Sequence, residues 1–163
     1  MRRAFFLYSR RFPCWHNYLG GYLQELVVGW FAFNMIAMKK KVLILDDDLD
    51  ILQICTIVLK KKGFDVLTIN NSNQVIEQVK SYQPDVILMD NWIPGPGGIE
   101  ATRSLKLKPE TQDIPVIFFS ANSNVTQLAQ EARADYFLQK PFDISELEGI
   151  VQMAITQGAT ARV

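Results

Sequence analysis

A chain of 163 residues is long enough for one domain with a substantial core. Its 17 basic and 17 acidic groups are spread unevenly: residues 1–37 hold four arginines against Glu25, which leaves 13 basic and 16 acidic groups, a net −3, for the rest. That balance argues against a nucleic-acid binder, which clusters Lys and Arg to displace counterions.

Ten of the eighteen aromatic residues precede Met38, and no clean periodicity organises them. The longest near-apolar stretch there, 26–38, would span roughly 20 Å as a helix, short of a bilayer core of about 30 Å. A secretory signal fits poorly, because the basic region is long and no small-x-small cleavage site follows. The expected organisation is an extension at 1–37, either disordered or a mis-assigned start, then a domain at 38–158 and a tail at 159–163. A membrane-associating anchor is the rival reading of the extension. Cys14 and His16 lack the partners a metal site needs.

From Met38 onward, short apolar runs alternate with helical patterns, which predicts a parallel sheet covered on both faces. The first strand is expected at about 41–45. A helix at about 49–62 follows, with Ile51, Ile54, Cys55, Val58 and Leu59 on its apolar side and Gly63 as its stop. Cys55 then reads as a buried free thiol. The second strand covers about 64–69, and Asn71 or Ser72 can cap a helix carrying Val75, Ile76 and Val79. Strand three is 85–89, followed by the loop Pro94-Gly95-Pro96-Gly97-Gly98 and a short helix through Leu107. Strand four is 114–119. The segment 122–133 has weak helical character, because Ser, Asn and Thr at its start favour caps and turns. Strand five is 136–139, and a last helix opens on the capping-box-like pair Asp143 and Glu146 and ends near Gly158.

Three of these runs end in charge: Asp46-Asp47 after the first, Asp90 after the third, and Lys140-Pro141 after the fifth. In an open α/β sheet, chemistry sits outside the carboxyl ends of the strands. Three carboxylates gathered with one ammonium call for a divalent cation, and oxygen ligands with an open shell suit Mg2+. Lys140 could hold a phosphoryl oxygen as a point charge. Pro141 invites a cis peptide, and Ser120 would add a hydroxyl.

These residues resemble the receiver domain of two-component response regulators, here a stand-alone receiver. The resemblance is carried by Leu-Asp-Asp-Asp at 45–48, Asp90 with Pro94 four residues on, Pro-Val-Ile-Phe-Phe-Ser-Ala at 115–121, and Lys-Pro-Phe-Asp at 140–143. It covers about 39–157 and implies a doubly wound, flavodoxin-like α/β fold: a five-stranded parallel sheet with helices on both faces. It further implies that Asp90 accepts a phosphoryl group from a histidine kinase or histidine phosphotransfer protein. Asp47 and Asp90 would ligate Mg2+ through carboxylates, Trp92 through its main-chain carbonyl, and Asp46 through water. Lys140 and Ser120 would serve the transfer. Ser120 and Phe137 would form a switch read by a downstream protein at the face of the fourth helix, fifth strand and fifth helix.

Such a protein is a cytoplasmic switch that promotes only its own phosphorylation and dephosphorylation, without nucleic-acid or membrane partners. Gly97 stands where many relatives carry an acid. The stretch between Ser120 and Lys140 is short, and Arg133 replaces a frequent glycine. Trp92 is expected to shield the acyl phosphate from water. Two other functions compete. Asp46 and Asp48 match the Asp-x-Asp of haloacid-dehalogenase-type phosphatases, a reading that leaves Asp90 and Lys140 unexplained. An unphosphorylated protein-binding module is the second, disfavoured by the complete residue set.

Overall fold

The computed structural model describes residues 39–160. The expectations for residues 1–37, for Cys14 and His16, and for the end of the tail lie outside the described residues. Five strand–helix units follow one another: β1 (Lys41–Leu45), α1 (Leu49–Lys61), β2 (Asp65–Ile69), α2 (Val75–Tyr82), β3 (Val86–Asp90), α3 (Gly98–Lys106), β4 (Val116–Ser120), α4 (Val125–Ala132), β5 (Tyr136–Gln139) and α5 (Ile144–Thr160).

The strands form one parallel sheet in the order β2-β1-β3-β4-β5. Alternation along each strand divides the core into two layers. Val42, Ile44, Val86, Leu88, Ile117 and Phe119 face one side, where Leu52, Cys55 and Leu59 of α1 and Leu147, Val151 and Ala154 of α5 cover them. Leu43, Leu45, Ile87, Met89, Val116 and Phe118 face the other, beneath Val75 and Val79 of α2, Ala101 and Leu105 of α3, and Val125 and Ala129 of α4. The three central strands are buried on both faces, which is why they read as unbroken apolar runs. The expected doubly wound fold is the observed one.

Local chemistry explains the boundaries. Asp48 caps α1, its side chain accepting from the Asp50 and Ile51 amides at 2.9 and 3.3 Å. Lys60 and Lys61 lie in the last turn, where cations suit the helix dipole. At the head of α5, Glu146 accepts the Asp143 amide at 2.8 Å, half of a capping box. Cys55 is a buried free thiol, and burial pushes its pKa up to about 11.

Two expectations need correction. Ile54 is 51% exposed, and Leu52 takes its place at 6%. The stripe that meets the sheet is Leu52, Cys55 and Leu59, spaced three and four, and Ile54 falls on its flank. Neither Asn71 nor Ser72 caps α2, whose N-cap position is Gln74 without a side-chain bond. Asn71 instead accepts the Asn73 amide at 3.2 Å, and Ser72 turns inward to Pro94.

The segment 122–133 forms a short fourth helix. It spans eight residues, has no side-chain cap, and ends on Arg133 at φ 60°. The Ala134 amide reaches back to the Ala129 carbonyl at 2.9 Å, closing a turn that glycine normally occupies. Holding an arginine in the left-handed region costs about 1–2 kcal/mol, partly offset by its smaller unfolded-state entropy. Arg133→Gly is therefore expected to raise stability by about 0.5–1 kcal/mol in urea unfolding. An unchanged or lower midpoint would show that the arginine side chain contributes as much as the strain costs.

Candidate functional site

β1 and β3 are neighbours in parallel register, Leu45 opposite Met89. The residues that follow this pair, Asp46 and Asp90, therefore emerge side by side at the carboxyl edge of the sheet. Both are buried, at 1% and 4% exposure, whereas Asp47 is exposed. One carboxylate oxygen from each of the three lies within 4.8 Å of the others. β5 runs on the far side of β4, and the residue after its end, Lys140, reaches back across it. Its Nζ donates to Asp46 Oδ2 at 2.6 Å and to Asp90 Oδ1 at 2.7 Å. The ammonium also sits 4.3 Å from the centre of the Phe119 ring, within cation–π range. The Lys140–Pro141 peptide is cis, as expected.

The second oxygen of each buried carboxylate accepts a backbone amide. Asp90 Oδ2 accepts the Trp92 amide at 2.5 Å, and Asp46 Oδ1 accepts the Asp48 amide at 3.0 Å. Burial pushes the Asp46 carboxyl above the usual carboxylate range, while the bonds from Lys140 and Asp48 pull it partly back. Burial works against the Lys140 charge, but its bonds to Asp46 and Asp90 outweigh it and hold the ammonium above its ordinary pKa. Lys140 is thus a permanent cation between two carboxylates.

The other expected residues are placed as follows. Ser120 ends β4 beside this cluster and is 1% exposed. Its carbonyl accepts the Lys140 amide at 2.8 Å, and its Oγ accepts the Asn122 amide at 3.2 Å. Trp92 meets Asp90 through its amide, while its indole is 76% exposed at the edge of a cleft of about 460 Å3. Asp47, Asn91, Ile93, Pro94 and Gly97 complete the lining. Phe137, on the edge strand β5, is 46% exposed. Asp48 is spent on capping α1 and lies outside the acidic trio, which removes the second acid that a phosphatase reading requires.

Gly98 is a residue whose role the sequence reading did not single out. A Cβ there would stand 1.9 Å from the Asp90 carbonyl oxygen. The head of α3 therefore presses directly on the backbone of Asp90, a contact that only glycine permits. The glycine pair at 97–98 was the available signal, and it reads from sequence as simple loop flexibility.

The response regulator receiver domain family model matches residues 42–152. The chain belongs to that family. It is similar to the DNA-binding response regulator MtrA of Mycobacterium tuberculosis, 32% identical over 115 residues, which make up 69% of this chain and 49% of MtrA. It is also similar to the phosphate regulon transcriptional regulatory protein PhoB of Pseudomonas aeruginosa, 36% identical over 110 residues, 66% of this chain and 48% of PhoB. The chain spans about half the length of the curated relatives it matches. Among solved structures, the chemotaxis response regulator CheY4 of Vibrio cholerae superposes with a TM-score of 0.67 at 23% identity, covering 72% of this chain and 99% of CheY4. At that identity the likeness shows the fold. A receiver domain is a phosphoacceptor signalling switch of a two-component system, and neither competing function is favoured.

Removing the Lys140 charge would leave Asp46 and Asp90 buried and facing each other. Lys140→Met is expected to lose about 3–5 kcal/mol of stability at pH 7 in chelator, read by urea unfolding. The loss should shrink as pH falls through the raised Asp46 pKa, because the folded form then binds a proton more tightly than the unfolded chain. A pH-independent loss would mean that packing of the lysine stem, rather than charge, sets its contribution.

Proposed function

We propose that Asp90 is the phosphoacceptor, with a histidine kinase or histidine phosphotransfer protein as donor and Mg2+ as cofactor. The observation that carries this reading is the setting of the Asp90 carboxylate. It is buried at a strand end, one oxygen bonded to Lys140 and the other to the Trp92 amide, within an acidic trio. In the transfer, an Asp90 oxygen attacks the phosphorus of an N-phosphorylated imidazole. The P–O bond forms as the P–N bond breaks, and the electron pair leaves with the imidazole nitrogen, which takes up a proton.

The donor set fits Mg2+, because three carboxylates against one ammonium leave an excess of hard, negative oxygen ligands. Asp47, Asp90 and the Trp92 main-chain carbonyl would hold the ion directly, and Asp46 through water. When bound, Mg2+ supplies positive charge to the transferring phosphoryl oxygens. Lys140 would add a second positive charge, already aimed at Asp90 and anchored by Asp46. Most of the catalytic effect in such a transfer comes from positioning and electrostatics.

For the switch, the Ser120 hydroxyl would turn from the Asn122 amide to donate to a phosphoryl oxygen, and Phe137 would move inward. Its 46% exposure leaves it free of the core in the present state. A downstream protein would read the change on the α4–β5–α5 face. The proposed partners are proteins, since the net −3 of residues 38–163 suits neither DNA nor an anionic membrane. A cytoplasmic setting is proposed with the kinase; among the described residues, no helix is long and apolar enough to cross a membrane.

Incubation with Mg2+ and a small acyl phosphate, followed by borohydride reduction and peptide mass spectrometry, identifies the modified carboxylate. Asp90 should carry the label, and Asp90→Asn should abolish it. Label on Asp46 would favour the phosphatase chemistry instead. Trp92 borders the cleft next to Asp47, where its indole can limit the approach of water to the acyl phosphate. Trp92→Ala is expected to shorten the phosphate lifetime about three- to tenfold, a barrier change of about 0.6–1.4 kcal/mol. An unchanged decay rate would rule out shielding.

A further inference from the structure

We propose that Ser72, on the loop between β2 and α2, is a positioning residue for the metal-binding side of the Asp90 site; this rests on the metal reading above. The loop from Asn91 to Gly97 carries Trp92, whose carbonyl is the proposed ligand. Pro94 and Pro96 have no amide to donate, so little of this loop can be held by its own backbone. Its anchors are visible. The Trp92 amide bonds Asp90, and the Gly98 amide bonds the Asn91 carbonyl at 3.2 Å. Those two contacts close the loop on its own ends.

The third anchor comes from another element. The Ser72 amide donates to the Pro94 carbonyl at 2.8 Å, and the Ser72 hydroxyl donates to the same oxygen at 3.2 Å. Ser72 is 1% exposed, unusual for a loop serine, and buried hydroxyls are retained where they find partners. The two loops also approach closely at Gly95. Gly95 sits at φ +106°, and a Cβ there would stand 2.7 Å from Asn73 Oδ1 and 3.1 Å from Ser72 Oγ. Ile93, between Trp92 and Pro94, is buried at 5%. Trp92 is therefore held on one side by Asp90 and on the other, two residues on, by Ser72. The geometry assigns Ser72 the task of fixing where the Trp92 carbonyl stands relative to the Asp90 carboxylate.

The test compares Ser72→Ala with Thr111→Val in the full chain. Thr111 makes a similar buried bond, its hydroxyl to the Leu105 carbonyl at 2.7 Å, but at the opposite end of the sheet. Calorimetric Mg2+ titration gives the affinity. The Mg2+ dependence of phosphorylation by a small acyl phosphate separates half-saturation from the rate at saturation. Ser72→Ala should weaken Mg2+ binding roughly three- to tenfold, the factor one neutral hydrogen bond carries, while the saturated rate stays near the parent's. Thr111→Val should lose comparable stability and bind Mg2+ as the parent does.

Gly95→Ala, which strains the loop at its positive φ and crowds Ser72 Oγ, should weaken Mg2+ binding in the same sense and serves if Ser72→Ala does not fold. Parent-like Mg2+ affinity in Ser72→Ala, or in Gly95→Ala where that variant stands in, would overturn the assignment. So would an equal loss in Thr111→Val. A parent chain that binds no Mg2+ at all would instead overturn the metal reading beneath it.

Discussion

The ammonium of Lys140, shared between Asp46 and Asp90, is the interaction on which the rest of this site depends. Two nearly buried carboxylates on adjacent strand ends cannot both stay ionised in a poorly solvated setting without a cation between them. Lys140 supplies that charge at 2.6 and 2.7 Å, from a residue 94 positions away from one partner and 50 from the other. Its stem is largely covered, and the Phe119 ring lies beneath the charge. One ammonium does not neutralise two carboxylates, and Asp47 adds a third at the rim. The protein thus holds a standing excess of negative charge directed at the place where a cation and a phosphoryl group are proposed to meet.

Around that charge the backbone leaves little freedom. The Asp90 carbonyl is overlaid by Gly98, its carboxylate is gripped by the Trp92 amide, and the loop between them is tied to Ser72. The contrast with the opposite side of the site is informative. Ser120 is buried at the end of β4, while Phe137 stands 46% exposed on the edge strand β5. The nucleophile is closely braced, and Phe137, proposed to transmit the signal, is half exposed. A switch requires that division, because a two-state element must be cheap to rearrange while the reacting groups stay fixed.

The sequence-level reading and the structure agree most closely where burial is two-sided. The central strands announced themselves as apolar runs because no face of them meets water, and Asp46, Asp90 and Lys140 were visible as the charges that terminate those runs. Agreement was weaker where a single rotation about a helix or one hydrogen bond decides the outcome. Ile54 looked like core because it is apolar, yet the α1 stripe meets the sheet at Leu52, Cys55 and Leu59. Ser72 looked like a cap because of its side-chain chemistry, yet its hydroxyl found Pro94, a partner 22 residues away that no local pattern reveals.

What the amino-acid order determined by itself was the alternation of strand and helix, the doubly wound class and the identity of the charged residues at the strand ends. These follow from hydrophobic periodicity and turn chemistry, which are local. Tertiary structure alone decided that the Lys140 ammonium bonds both aspartates at once and that Ser72 ties down the loop beyond Asp90. Those are contacts between segments far apart in the chain. Their geometry is set by the packing of the whole sheet, so no window of sequence contains it.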